Sequence, residues 1–167
     1  MDDQAARKYV IPSFDVIRVQ NLRDLNLLDT APDPYIDELV RLASVVADMP
    51  ISALSLVDKN RQWFKAKTGL EVSETARDIS FCTYTILNSD RPLIVEDASK
   101  SDVFRNNPLV LNEPHIRSYV GFPINSPDHG FTIGSLCVID RKPRALSEYQ
   151  LKILREIAVV IMKTISR

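Results

Sequence analysis

Two free thiols are the residues in this chain best suited to chemistry. Cys82 sits in "RDISFCTYTI", residues 77–86, between Phe81 and two hydroxyl residues, with Arg77 and Asp78 just upstream. A nucleophilic cysteine needs a nearby base, cation or helix N-terminus to lower its thiol pKa. Arg77 and the start of a short helix would serve. The two histidines, His115 and His129, fall in segments read as loops, so no imidazole adjoins Cys82 in sequence. Buried free cysteine acting as a small apolar side chain is common, and Cys82 is read first as core or pocket wall. Cys137 lies in "FTIGSLCVID", where strand alternation sets it on one sheet face with Ile133, Ser135 and Ile139. If that face borders a pocket, the two cysteines approach one another.

The remaining reactive groups are scattered. Glu96, Asp97, Asp102, His115 and His129 lack the tight spacing of a metal site, and a structural zinc would want four closed ligands. Solvated carboxylates and loop histidines are expected instead, with no metal. Four glycines make no phosphate-cradling loop, and "RKPR", 141–144, reads as a solvated linker. With 21 basic and 22 acidic side chains the formal charge is -1, so no global field favours nucleic acid or anionic lipid. No apolar run approaches the ~20 residues that span a bilayer, and the polar start "MDDQAARKYV" is unlike a signal peptide. A cytoplasmic chain with reduced thiols is expected.

The elements that must position these groups follow from pattern. Residues 1–12 are expected to form a partly flexible lead, and 13–167 a single domain. "SFDVIRVQNLRDLNLLD" reads as a helix with Ser13 as N-cap. Asp33 and Pro34 read as N-cap and first position of a second helix over 34–48, ended by Pro50. "ISALSLV", 51–57, is a buried strand, and "DKNR" turns it into "QWFKAKT" as a hairpin partner. "GLEVSETARD" is a polar connection, "FCTYTIL" a short helix or turn, and "RPLIVEDA" a further strand. A long excursion, "SKSDVFRNNPLVLNEPH", precedes the strands "IRSYVGFPI" and "FTIGSLCVID", which are joined by the turn "NSPDHG". In "ALSEYQLKIL", Ser147 and Gln150 form a capping box and Leu146 staples onto Leu151. Hairpin-joined strands with helices collected at the chain ends predict an α+β antiparallel sheet.

Several of these stretches, taken in order, resemble the GAF domain family over roughly residues 20–165. They are "LNLLDTAPDPYIDELVRLAS", "PISALSLVDKNRQWFKAKTGLEVSETARDISFC", "PLIVEDASKSDVFRNNPLV", "IRSYVGFPI" and "GSLCVIDRKPRALSEYQLKIL". The likeness is to bacterial signalling-type members. It implies a GAF/PAS-like fold: about six antiparallel strands, N- and C-terminal helices on one face, and a lid over a small-molecule pocket on the other. Residues 98–115 would form part of that lid. Related sequences often carry "SFCAHAI", so Tyr84 stands where an imidazole is common, and the family's cyclic-nucleotide and bilin signatures are absent.

The resemblance implies a sensory or regulatory module without catalytic activity or cofactor, binding an unknown small molecule and controlling an effector. Its expected ligand-binding residues are Phe81, Cys82, Tyr84, Asp97, Phe104, Asn107, Arg117, Tyr119 and Cys137. Two alternatives are a thiol-dependent free methionine sulfoxide reductase using Cys82 and Cys137, and a degenerate scaffold with a filled pocket. A homodimer is expected from the last helix, whose apolar residues cover roughly 200° of its wheel, whereas packing on one sheet face needs only ~100°. The surplus stripe, around Ile153, Ile157 and Val160, would meet the first helix through Val16, Val19, Leu22 and Leu27. No nucleic acid or membrane is expected as a partner.

Overall fold

Local chemistry sets the helix ends most sharply where a side chain can satisfy free amides. The computed structural model describes residues 9–127 and 130–166, so residues 1–8 of the expected lead, and His129 within the expected turn, lie outside the described residues. Asp33 is extended and its carboxylate accepts from Tyr35 N (2.9 Å) and Ile36 N (3.3 Å), opening α2 (Pro34–Ala47) with proline in its first turn. That helix ends on Asp48, left-handed at φ 52°, two residues before Pro50. The capping box of α5 (Glu148–Ile165) is complete: Gln150 N donates to Ser147 Oγ (3.1 Å) and Ser147 N to Gln150 Oε1 (2.9 Å). The first helix differs from expectation. α1 spans only Asp15–Asp24, its N-cap is Phe14, and no side chain caps it, so Ser13 is not the cap. Asn26 then turns left-handed (φ 53°), which stops the helix and lets Leu25, Leu27 and Leu28 reach the core from irregular backbone.

Among the described residues, six strands form one sheet: β1 (Ile51–Val57), β2 (Arg61–Thr68), β3 (Glu74–Ala76), β4 (Leu93–Val95), β5 (Ser118–Asn125) and β6 (Thr132–Asp140). Their order is β3-β2-β1-β6-β5-β4, and every pairing is antiparallel. β3 falls in the stretch read as a polar connection. Two short helices complete the set, α3 (Cys82–Thr85) and α4 (Pro108–Leu111), the second inside the long excursion.

Alternation gives the sheet two apolar faces. Leu54, Leu56, Val120, Phe122, Leu136 and Val138 point to α2 and α5. Ile51, Ala53, Val57, Tyr119, Cys137 and Ile139 point to α3 and the excursion. Each fully buried large aliphatic chain contributes ~1.5–3 kcal/mol, so both faces are strongly held. A bulge breaks the alternation in β6: Ile124 pairs with Gly134 and Asn125 with Thr132, leaving Ile133 extra. Ile133 therefore turns to the helix face, not to the face of Ser135, Cys137 and Ile139 as strict alternation predicts. Gly134 is obligatory beside it, because a Cβ there would lie 2.1 Å from the Ser55 carbonyl oxygen.

The apolar stripe of α5 is covered in part within the chain. α5 packs on α2 and β5, burying Ile157 and half-burying Ile153 and Val160. The first helix packs instead on β6, burying Val19 and Leu22 while Val16 and Ile17 stay 84% and 60% exposed.

Candidate functional site

The sheet face opposite α2 and α5 carries a cavity of about 470 Å³. Ile51, Phe64, Cys137 and Ile139 form its floor, residues 69–72 and the 109–116 segment its walls, and Phe81 and Cys82 enter from α3. Its mouth is charged and exposed, with Glu71, Glu113 and Arg141. Arg117 anchors the 109–116 wall, its Nη1 donating to the Val110 and Ile116 carbonyls at 3.1 and 3.0 Å.

Tyr119 places a polar node under this apolar wall. Its hydroxyl shares hydrogen bonds with Thr85 Oγ1 (2.7 Å), Ser135 Oγ (3.1 Å) and Cys82 Sγ (3.2 Å). Gly121 leaves the space for it: a Cβ there would lie 2.3 Å from the Tyr119 oxygen and 2.6 Å from both other hydroxyls. Nearby, Gln62 Oε1 accepts from Ser55 Oγ (2.7 Å) and Ser80 Oγ (2.9 Å), so the buried hydroxyls are held in fixed positions. Burial pushes the Cys82 thiol up, but hydrogen bonds from Cys137, Tyr119, Ser55 and Ser135 outweigh it and bring the thiol down to about 7. Cys137 moves the opposite way: its hydrogen bond with Cys82, its burial and the Cys82 charge all hold its proton on well above the usual thiol range. The pair therefore gives up a first proton more readily than an ordinary thiol and a second far less readily.

Of the residues singled out in the sequence, Phe81, Cys82, Tyr119 and Cys137 come together on the cavity. Phe104 stands behind it, stacked on Phe81 at 4.2 Å. Tyr84 and Asn107 border a separate hollow of about 570 Å³ with Tyr9 and Asn60. Asn107 also caps α4, accepting from Leu109 N at 2.8 Å. Asp97 caps the 98–100 turn through Ser99 N (3.0 Å) and lies off the cavity. Arg117 likewise holds the lid without lining the cavity. Residues that line it without having been singled out, such as Leu70, Leu109 and Glu113, carried no motif; only the paths of the connection after β2 and of the long excursion bring them there.

The GAF domain family model matches residues 29–165 of the chain. The chain belongs to the GAF domain family. A relative named as a cyclic di-GMP phosphodiesterase, from Pseudomonas aeruginosa, is 40% identical over 155 residues; the match covers 92% of this chain but only 26% of that protein. Among solved structures, the GAF domain of an Acinetobacter phosphoenolpyruvate-protein phosphotransferase superposes with TM-score 0.63 at 18% identity, covering 90% of this chain and 93% of that one. A free methionine-R-sulfoxide reductase from Neisseria meningitidis superposes with TM-score 0.59 at 17% identity, covering 97% of each chain. Both superpositions establish the shared fold.

Away from the cavity, this GAF domain buries charge. Asp15, Arg18 and Arg77 form a buried ion cluster between α1 and the turn at 77–79 that leads into α3. Arg77 grips the Asp15 carboxylate with two nitrogens (2.8 and 2.9 Å), Arg18 Nε takes it at 2.9 Å, and Arg77 Nε donates to Thr83 Oγ1 at 3.0 Å. Burial pushes the Asp15 carboxyl up, but Arg77 and Arg18 together hold it below the usual carboxylate range. Arg77 thus serves α1 and α3 rather than the Cys82 thiol, with which its proximity in sequence associates it. The one signal available was the i, i+3 spacing of Asp15 and Arg18 on the face that buries Val19 and Leu22. Among the described residues no group of three or more His, Cys, Asp or Glu side chains is placed to hold a metal, and no helix is long and apolar enough to cross a membrane.

Proposed function

We propose that this GAF domain is a sensory module that binds a small molecule in the cavity above Cys137 and Tyr119 and controls a signalling effector, without catalytic activity of its own. The observation that carries this is the cavity itself. At about 470 Å³ it falls within the ~300–1,000 Å³ of small-molecule sites. Its apolar walls, hydroxyl-lined base and charged mouth suit a compact ligand with an apolar body and a polar end. Thr83 and Arg77 connect α3 to α1, offering a route by which a ligand touching Phe81 and Cys82 displaces the first helix. The name of the Pseudomonas relative makes cyclic di-GMP turnover the effector activity to test first. A homodimer through the outer faces of α1 and α5 belongs to the same reading, supported by exposed Val16 and Ile17.

Native mass spectrometry of freshly purified protein, followed by thermal shift against a panel of small metabolites, tests the cavity. A bound or binding molecule should raise Tm in the wild type and not in Leu70→Trp, which fills the cavity from its half-buried wall. A panel that shifts both proteins equally, or neither, refutes it. Sedimentation equilibrium tests the dimer: Val16→Glu with Ile17→Glu should give a monomer, and a wild type monomeric at high micromolar concentration overturns it.

A further inference from the structure

Cys82 and Cys137 reach the cavity from different elements, α3 and β6, and the two buried thiols belong to one packed cluster against its wall. Both border open volume, and that volume meets solvent at a mouth of exposed residues. We propose that the pair is a redox-reactive site in which Cys82 attacks a small hydroperoxide admitted by the cavity and Cys137 then closes an intramolecular disulfide. The proposal goes beyond ligand capture and rests on the cavity reading only for access.

The surroundings assign different roles to the two thiols. Cys82 Sγ lies 3.2 Å from the Tyr119 hydroxyl, and that hydroxyl together with the nearby Cys137, Ser55 and Ser135 side chains favours its thiolate. Cys137 keeps its proton chiefly because Cys82 sits beside it. Once the Cys82 sulfur has taken oxygen from the hydroperoxide, that charge is gone and one of the causes that hold the proton on Cys137 is lifted. In the first step the Cys82 thiolate bonds to the outer peroxide oxygen, the O–O bond breaks, and the departing alkoxide takes a proton to leave as an alcohol. In the second, Cys137 sulfur bonds to Cys82 sulfur and the oxygen leaves as water. Overall, two thiols and one hydroperoxide give one disulfide, one alcohol and one water. The S–S bond of ~2.05 Å requires the thiols to close up, and the one-turn helix α3 is the element short enough to shift.

The test uses the reduced chain with hydrogen peroxide or tert-butyl hydroperoxide, read by intact mass and peptide mapping. The expected product is lighter by two hydrogens, carries a Cys82–Cys137 cross-link, and is restored by dithiothreitol. Cys137→Ser should instead give a Cys82 sulfenic acid that dimedone traps, and Cys82→Ser should leave Cys137 a free thiol. If Cys137 oxidises as fast in Cys82→Ser as in the wild type, the assigned order is wrong and the proposal falls. Methyl methanethiosulfonate separates the two readings: Cys82 labelling without any disulfide overturns the redox pair and leaves the cavity standing. Neither labelling nor disulfide overturns both. Should either variant fail to fold, the wild-type cross-link decides alone.

Discussion

Gly121→Ala is the sharpest test of how the cavity base is built. The new methyl would lie 2.3 Å from Tyr119 Oη and 2.6 Å from Ser135 Oγ and Thr85 Oγ1, all far inside contact distance. The Tyr119 ring is fully buried and in contact with Phe81 at 5.3 Å, so the hydroxyl cannot simply swing out. Overpacking of this kind costs ~1–3 kcal/mol, and weakening the Tyr119 bonds to Thr85 and Ser135 adds roughly 0.5–1.5 kcal/mol for each. A total near 3 kcal/mol in a domain of this size lowers Tm by about 6–12 °C. Tyr119→Phe removes the oxygen that the methyl strikes first. In the Gly121→Ala background it should therefore destabilise less than the sum of the two single changes, by ~1–2 kcal/mol. Urea unfolding of the four proteins, read by circular dichroism, measures that coupling. A Gly121→Ala protein melting within ~1 °C of wild type, or strict additivity in the cycle, would show that the glycine does not make room for the node.

Asp33→Ala removes the acceptor for Tyr35 N and Ile36 N at the start of α2 and should cost ~1 kcal/mol, a fall of about 2–4 °C in Tm. Asp15→Asn strips the charge that pairs Arg18 and Arg77 in a buried setting, so chemical denaturation should report a loss of ~3 kcal/mol or more. Asp15 has its carboxyl held low in the fold, so its contribution is full above the ordinary carboxylate range and lost as pH falls through the folded value. The substitution should flatten the acid limb of the stability curve but not abolish it, since Asp58 is held low as well; an unchanged limb would refute the pairing. Alkylation of Cys82 by iodoacetamide should rise as pH passes through about 7, earlier than the ~8.5 of an ordinary thiol, and a midpoint at the ordinary value would refute the donor set around it.

Sequence pattern reached this structure where local chemistry decides it. Asp33–Pro34 and Ser147–Gln150 act on amides within three residues, so their helix starts were readable without any tertiary information. β1 was legible from its short, apolar run, and β5 and β6 from their alternation. Alternation failed at Ile133 because a bulge is defined by the partner strand, and nothing in "FTIGSLCVID" counts residues on β5. Ser13 failed as a cap because α1 starts where Asp15 meets Arg77, 62 residues away. The cavity was half legible for a related reason. Cys82, Phe81, Tyr119 and Cys137 sit on elements whose faces follow from periodicity or from α3, whereas Asp97, Asn107 and Arg117 lie in irregular backbone, where sequence does not say which way a side chain points. There they cap turns and anchor the lid instead.

The sharing of Arg77 between Asp15 and Thr83 has a thermodynamic consequence. A guanidinium that bonds two elements at once makes the free energy of each depend on the position of the other. Coupling of that kind is reciprocal: whatever factor a cavity occupant imposes on the seating of α1, a constraint on α1 imposes the same factor on the occupant's affinity. Anything that grips the first helix from outside would then shift the affinity of such an occupant. For the small molecule proposed above, the isolated domain and one whose α1 is held by a partner should therefore show different dissociation constants.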